Sequence, residues 1–114
     1  NEVLFHTDVI ASESSIQMDV QEIPIDLVSL SSNDIYGPRG VGALYVKKGV
    51  RVNPILIGGG QERGMRSGSH NMPGVIGFAK AQEANIKFLH DDHSLSGSIQ
   101  KLPEYLEKIF IAKD

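Results

Sequence analysis

The residues of this sequence that are best suited to chemistry are polar side chains that follow short apolar runs. Asp8 follows residues 3–5 (VLF), which predict a buried strand, with two residues in between. Its carboxylate is suited to accept a hydrogen bond from a ligand in a cleft. The alternative is that Asp8 caps the next segment, residues 12–16, because aspartate commonly begins turns and helices. The residue type alone favours the capping role.

A second polar cluster, residues 31–34 (SSND), follows the apolar run at residues 27–30 (LVSL). Two hydroxyls and an amide, together with backbone N–H groups, can bind the oxygens of a phosphate. The same composition is typical of an ordinary turn, which is the interpretation that these residues favour by themselves.

The third candidate is the glycine-rich segment 58–69 (GGGQERGMRSGS), which holds five glycines, two arginines and two serines. It is neither a P-loop, since no Gly-Lys-Ser/Thr is present, nor a dinucleotide fingerprint, since no helix follows directly. It is either a flexible surface loop or an anion-binding loop. Ser69 favours the second interpretation, because it comes just before a predicted helix N-terminus, where anions are stabilised.

The sequence gives little support for a metal site or for a catalytic nucleophile. The chain has no cysteine, which excludes disulfides, thiolate ligands and thiolate catalysis within it. His90 and His93 flank two aspartates, but a solvated helix end explains them better than a metal site does. No Ser-His-Asp arrangement can be assigned from spacing.

Composition narrows the function classes further. The chain has 114 residues, the length of one domain, and 40% of them are hydrophobic, which argues against disorder. A net charge of −3 argues against nucleic-acid binding. The apolar runs are too short to span a membrane. The first residues carry neither an initiator Met nor a signal peptide, so we expect a chain that begins inside a longer sequence and a cytoplasmic location.

The predicted elements position the polar clusters at strand ends. Strands are predicted at residues 3–5, 27–30, 42–46 and 55–57, and one helical turn at 19–23. Eleven of the 12 glycines lie between Gly37 and Gly77, which predicts a loop-rich centre. Strands that end in polar residues indicate an α/β sheet, in which ligands bind outside the carboxyl ends.

The clearest element is an amphipathic helix over residues 72–90, capped by Asn71 and with Pro73 in its first turn. Helical spacing places five apolar residues on its inward face: Val75, Phe78, Ala79, Ile86 and Leu89. A shorter helix is predicted from Pro103 to Ile111.

Three strings, FHTD (5–8), DLVSLSSNDIYGPRGVGALYV (26–46) and GGGQERGMRSGS (58–69), resemble in this order the middle of the cysteine desulfurases. These are class V, fold-type I enzymes that use pyridoxal 5′-phosphate (PLP) and pass sulfur from cysteine to iron–sulfur cluster assembly. The resemblance runs from about residue 3 to about residue 89. It implies that residues 1–114 are one segment of a large domain with a mostly parallel sheet and flanking helices, with 90–114 as an unassigned helical tail.

The resemblance also implies roles for three residues. Asp8 matches the aspartate that pairs with the PLP pyridine nitrogen and keeps the ring protonated. Ser31 matches a serine that holds the cofactor phosphate. Ser69 stands for a threonine that reaches the phosphate in the partner subunit of a homodimer, and serine keeps the hydroxyl.

Three positions depart from the family pattern. Asp34 stands where the family has the lysine that forms the Schiff base, and a carboxylate cannot form an imine. Asn33 replaces a histidine that helps to hold the phosphate, and Ala11 replaces a glutamine that donates to the cofactor. The variant at residues 31–34 nevertheless resembles a pattern found in some archaeal desulfurase-like proteins. Asn33 and Asp34 therefore remain candidate PLP-binding residues without covalent attachment.

These observations leave three hypotheses for the function. In the first, the chain is a segment of a desulfurase-like protein that is inactive as given, because Asp34 replaces the lysine. Alternatively, it is a non-catalytic docking partner for an iron–sulfur scaffold protein. The third hypothesis sets the resemblance aside and predicts a small α/β anion-binding module that folds alone.

Overall fold

A computed structural model describes residues 3–90. Three strands come first along the chain: β1 (His6–Asp8), β2 (Leu27–Ser31) and β3 (Gly42–Val46). A 3₁₀ turn at Asn33–Ile35 follows β2, and a second one lies at Glu62–Gly64. Helix α1 (Met72–His90) ends the described part of the chain. The tail helix predicted from residue 103 to residue 111 and the histidine at position 93 lie outside the described residues.

The strands form one sheet in the order β1-β2-β3. β1 pairs with β2 in parallel, with Asp8 opposite Ser29. β2 pairs with β3 antiparallel, with Ser31 opposite Gly42. The sheet and the helix confirm the predicted α/β class, and the described residues contain one parallel and one antiparallel pairing.

Two of the four predicted strands are confirmed, at β2 and β3. The first strand begins three residues later than predicted: residues 3–5 precede it, and the Phe5 carbonyl accepts hydrogen bonds from the N–H groups of Asp26 and Leu27. The prediction of a strand at residues 55–57 is wrong. These side chains are exposed, and the Leu56 carbonyl accepts a single loop hydrogen bond, from Ser67, so a strand partner is missing among residues 3–90.

The link from β1 to β2 contains turns instead of a long helix. The Val9 carbonyl accepts hydrogen bonds from the N–H groups of Ser12 and Glu13, so the chain turns away from the sheet directly after β1. The predicted helical turn at residues 19–23 is present as a turn, in which the Asp19 carbonyl accepts two N–H groups.

Helix α1 has the predicted bounds and the predicted cap, because Asn71 Oδ1 accepts the N–H of Gly74 at 3.2 Å. Its predicted inward face is partly wrong, since Val75, Ala79 and Ile86 are exposed. Two glycines make the close contacts instead. A Cβ atom at Gly74 would lie 2.4 Å from Val41 Cγ2, and one at Gly77 would lie 2.4 Å from Pro38 Cγ.

The two faces of the sheet carry different sets of residues. One face, which includes Thr7, Val28 and Leu30, borders a mainly apolar cleft of about 610 Å³ that α1 and the β1–β2 link also line. Because side chains alternate along a strand, His6, Asp8, Ser29 and Ser31 lie on the opposite face. The polar residues singled out in β1 and β2 therefore share one face of the sheet.

Candidate functional site

Asp8 lies at the carboxyl end of β1 and is exposed. Its Oδ1 atom accepts the N–H of Ile10 at 2.9 Å, so Asp8 holds a local turn. It does not cap residues 12–16 as predicted, because the N–H groups of Ser12 and Glu13 donate to the Val9 carbonyl. Its Oδ2 atom has no hydrogen-bond partner among residues 3–90. One carboxylate oxygen thus fixes the side chain while the other remains available.

His6 is a neighbour of Asp8 that the sequence reasoning did not assign to a site. Its Nε2 atom lies 2.8 Å from Ser29 Oγ, so the two side chains form a hydrogen bond between neighbouring strands. The alternation of FHTD carries the signal that would have found it, because residues two apart in a strand share a face. The pair lies beside Asp8 on the same face of the sheet.

Ser31 is the last residue of β2, and Asn33 and Asp34 begin the 3₁₀ turn that follows it. The side chains of Ser31 and Asn33 make no hydrogen bond within the described residues. Asn33 is exposed, whereas Asp34 is half-buried. The structure therefore brings these three residues together at the end of the strand beside β1, on whose end Asp8 lies.

Ser32 fixes the shape of this turn. Its N–H donates to the Val41 carbonyl at 3.1 Å and its carbonyl accepts the N–H of Gly37 at 2.8 Å. A Cβ atom at Gly37 would lie 2.3 Å from Ser32 Oγ, so only glycine fits there. The Ser32 side chain is fully buried (0% exposed), and its hydroxyl has no partner within the described residues.

Glu13 is a second residue that the sequence reasoning missed. It is 7% exposed, and its Oε2 atom accepts the N–H of Ser31 at 3.3 Å. Burial raises the pKa of this carboxyl above its ordinary value, the Ser31 N–H lowers it, and the nearby Asp34 carboxylate raises it. A glutamate between serines carries no sequence signal for burial, so this contact was not predictable.

The glycine-rich segment is held by its own hydrogen bonds. Gln61 Oε1 accepts the N–H of Gly68 at 2.9 Å, and His70 Nε2 lies 2.8 Å from Glu62 Oε1. Glu62 has a φ of 50°, in the left-handed region that disfavours side chains. Ser69 is exposed, and no hydrogen bond joins it to Asp8 or Ser31 within the described residues.

Neither a metal site nor a membrane-spanning helix is found in the part of the chain that the structure describes. Residues 3–90 contain no group of three or more histidines and carboxylates placed to hold a metal ion. No helix within the same range has the length and apolar character that crossing a membrane requires.

A family model described as Aminotransferase class-V matches residues 1–109. The cysteine desulfurase IscS 1 of Archaeoglobus fulgidus is 56% identical over 82 residues, which cover 72% of this chain and 22% of that protein. The cysteine desulfurase IscS of Methanosarcina thermophila is 42% identical over 110 residues, or 96% of this chain and 27% of the relative. The chain thus spans about a quarter of the length of these relatives.

Solved structures show the same likeness. A NifS-like protein superposes with a TM-score of 0.75 at 40% identity, over 79% of this chain and 25% of the other. A NifS-like protein from Rickettsia africae superposes with a TM-score of 0.79 at 29% identity, over 96% of this chain and 29% of the other. The fold of this chain is therefore that of a segment of the NifS-like, fold-type I PLP enzymes.

Proposed function

Because the chain belongs to the class-V aminotransferase family, we propose that its residues form one wall of a PLP pocket in a cysteine desulfurase-like protein. The relatives that it matches carry the name cysteine desulfurase, and their chemistry consumes cysteine and transfers its sulfur. PLP itself supplies, when bound, an electron sink for bonds at the α-carbon of an amino acid.

The observation that carries the proposal is the position of Asp8 beside the end of β2, with one carboxylate oxygen lacking a partner among residues 3–90. PLP needs an acceptor for the proton on its pyridine nitrogen and donors for its phosphate oxygens. The carboxylate of Asp8 can hold that proton, and the Ser31 hydroxyl and the Asn33 amide can donate to the phosphate. The donor set thus fits PLP.

The donor set does not fit covalent attachment. Asp34 has no amine that could bond to the cofactor or take a proton from the substrate. Its carboxylate also adds negative charge at the end of the strand where a phosphate would bind. We therefore propose that PLP binds without a covalent bond and that the chain as given does not release sulfur from cysteine.

The same substitutions favour a second candidate function, in which the fold serves as a docking partner for an iron–sulfur scaffold protein. Asp34, Asn33 and Ala11 remove groups needed for catalysis, while the exposed Ser69 keeps the hydroxyl that would reach a partner subunit's cofactor in a homodimer. A cytoplasmic location belongs to the same proposal. PLP-dependent sulfide release from cysteine would contradict both the docking role and the proposed inactivity.

A PLP titration of the protein and of Asp8→Asn, by equilibrium dialysis, tests the pocket. Asparagine keeps the local turn but loses the charge, so we expect binding about ten- to a hundredfold weaker, the value of a charge-assisted hydrogen bond. Asp19→Asn is the matched control, since Asp19 Oδ1 accepts the N–H of Gln21 in the same kind of turn.

The expected result is a loss of affinity in Asp8→Asn and none in Asp19→Asn. Equal affinity in all three proteins, or no saturable PLP binding to any of them, would contradict the proposed pocket.

A further inference from the structure

Glu13 occupies a place in the sheet that a backbone group would normally take. The N–H of Val9 donates to the Ser29 carbonyl at 3.2 Å, as in a regular parallel ladder. In such a ladder the Val9 carbonyl would accept the next N–H along β2, which is that of Ser31. That carbonyl instead accepts the N–H groups of Ser12 and Glu13 in the turn after β1. The Glu13 side chain returns to the sheet and accepts the Ser31 N–H in its place.

Glu13 also joins this strand end to the helix. Its backbone carbonyl accepts a hydrogen bond from Asn85 Nδ2 in α1 at 2.9 Å. The residue therefore contacts three parts of the fold: the turn after β1, the last residue of β2, and α1. Its second carboxylate oxygen, Oε1, is buried and has no partner within residues 3–90.

We propose that Glu13 is a positioning residue that holds Ser31 against the cofactor phosphate and makes phosphate binding depend on pH. The role of the phosphate rests on the proposed function. The contact between Glu13 and the Ser31 backbone is independent of it, because it is a feature of the fold.

The groups that face Glu13 determine the direction of the pH effect. The 3₁₀ turn after β2 contributes the Asp34 carboxylate, which repels a charge on Glu13. Helix α1 contributes neutral Asn85, which donates to the Glu13 carbonyl, and neutral Gln82 lines the same cleft with a buried Oε1 atom that lacks a partner in the described residues. Three further titratable groups line the cleft that Glu13 borders, from the β1–β2 link, β3 and the end of α1: Asp19, Tyr45 and His90.

Protonation of the Glu13 carboxylate removes its buried negative charge. The neutral carboxyl still accepts the Ser31 N–H through its carbonyl oxygen, and it no longer carries the charge that burial and the Asp34 carboxylate disfavour. Because burial, chiefly, raises the pKa of Glu13, the folded protein binds this proton more tightly than the unfolded chain does. The stability from this group is fully present below the ordinary glutamate pKa and is lost as pH rises through the raised value. Above that range, a negative charge behind Ser31 also opposes an anionic phosphate.

Glu13→Gln separates the contact from the charge, since the amide oxygen can accept the Ser31 N–H and does not titrate. Glu13→Leu removes both, and Glu22→Gln, at an exposed glutamate in a turn, is the control. Each full protein is titrated with PLP and with pyridoxal, which lacks the phosphate, from pH 5 to pH 8. Urea unfolding without cofactor is measured over the same range.

PLP affinity should fall as the pH rises from 5 to 8. We expect this fall to be at least about three times larger in the unchanged protein than in Glu13→Gln. Pyridoxal should show no such difference, and Glu22→Gln should behave as the unchanged protein does. Glu13→Leu should bind PLP more weakly than Glu13→Gln at every pH. In urea, the midpoint of Glu13→Gln should fall less with pH than that of the unchanged protein.

Identical pH profiles for Glu13→Gln and the unchanged protein in both measurements would overturn the role of Glu13. An equal effect on PLP and pyridoxal would overturn its action through the phosphate. If no protein binds PLP, the proposed function and the phosphate role fail together. The unfolding profiles then still decide whether a titrating Glu13 is coupled to the fold.

Discussion

Ser32 and Asp34 lie close together in sequence directly after β2. Each has a polar side chain that bears on the stability or the chemistry of the candidate site. By the resemblance, Asp34 stands where the family has the lysine of its covalent chemistry, and we propose that this carboxylate replaces the reactive amine. Ser32 contributes a fully buried hydroxyl without a partner in the described part of the chain, which is a costly arrangement for a polar atom. The turn is therefore shaped by backbone contacts and not by its side-chain hydroxyl.

Ser32→Ala removes the unpaired hydroxyl and leaves the backbone contacts to Val41 and Gly37 in place. We expect the free energy of unfolding to stay the same or to rise by up to about 1 kcal/mol. Ser12→Ala is the control: Ser12 Oγ donates to the Val9 carbonyl at 3.2 Å, so its loss should cost about 1 kcal/mol. Chemical denaturation measures both, and a larger loss in Ser32→Ala than in Ser12→Ala would show that the hydroxyl is paired.

The site residues differ in how far the sequence could reveal them. Asp8 and Ser31 were predictable as residues at strand ends, because each follows an apolar run with its own signal. Their common face follows from the strand register, which the sequence does not state. Glu13 was not predictable, because its contact with Ser31 spans 18 residues and depends on how the chain turns at Val9. The functional meaning of Asp34 came from the resemblance alone.

The packing of α1 against the Pro38–Val41 segment depends on glycine. At Gly77 an added Cβ atom would lie 2.4 Å from Pro38 Cγ and 2.9 Å from Pro38 Cδ. The proline ring is rigid, so a side chain at position 77 must displace the helix or the turn. Because this segment follows the turn that carries Asn33 and Asp34, the position of α1 also supports the site.

Gly77→Ala should therefore destabilise the protein by about 1–3 kcal/mol, although alanine by itself favours a helix by about 1 kcal/mol. Gly58→Ala is the control, since its Cβ atom would meet Ser67 Cβ at an ordinary 3.4 Å. Thermal or urea unfolding of both variants measures the difference. A Gly77→Ala protein at least as stable as the unchanged one would mean that the helix does not pack closely on Pro38.

The elements themselves show what local sequence can and cannot determine. β2, β3 and α1 were predictable because each carries its own pattern of apolar residues or caps. Residues 55–57 have the composition of a strand, but a strand also needs a neighbour to pair with, and none is present in residues 3–90. The inward face of α1 was mispredicted at Val75 because the prediction rests on the spacing of apolar side chains. The helix instead approaches Val41 and Pro38 closely at Gly74 and Gly77, which have no side chain.

At the scale of the whole molecule, much apolar surface is not covered by residues 3–90. The buried apolar residues in that range are Ile25, Val28 and Ile35, whereas Ile55 is 94% exposed and Ile57 is 88% exposed. Large exposed apolar residues are typical of surfaces that other protein covers. This favours a segment of a larger assembly over a small anion-binding module that folds alone. The independent folding of such a module stays an untested prediction.

Borohydride reduction of the PLP-loaded protein, followed by peptide mass spectrometry, tests the central claim most directly. Borohydride fixes a cofactor that is covalently bound to an amine and leaves a non-covalent one free to dissociate. We expect no phosphopyridoxyl label on the unchanged protein and a label at position 34 in Asp34→Lys, with Asp34→Asn unlabelled as the control for charge. A label on Lys47 or Lys48 of the unchanged protein would contradict non-covalent binding, because another lysine would then have replaced the missing one.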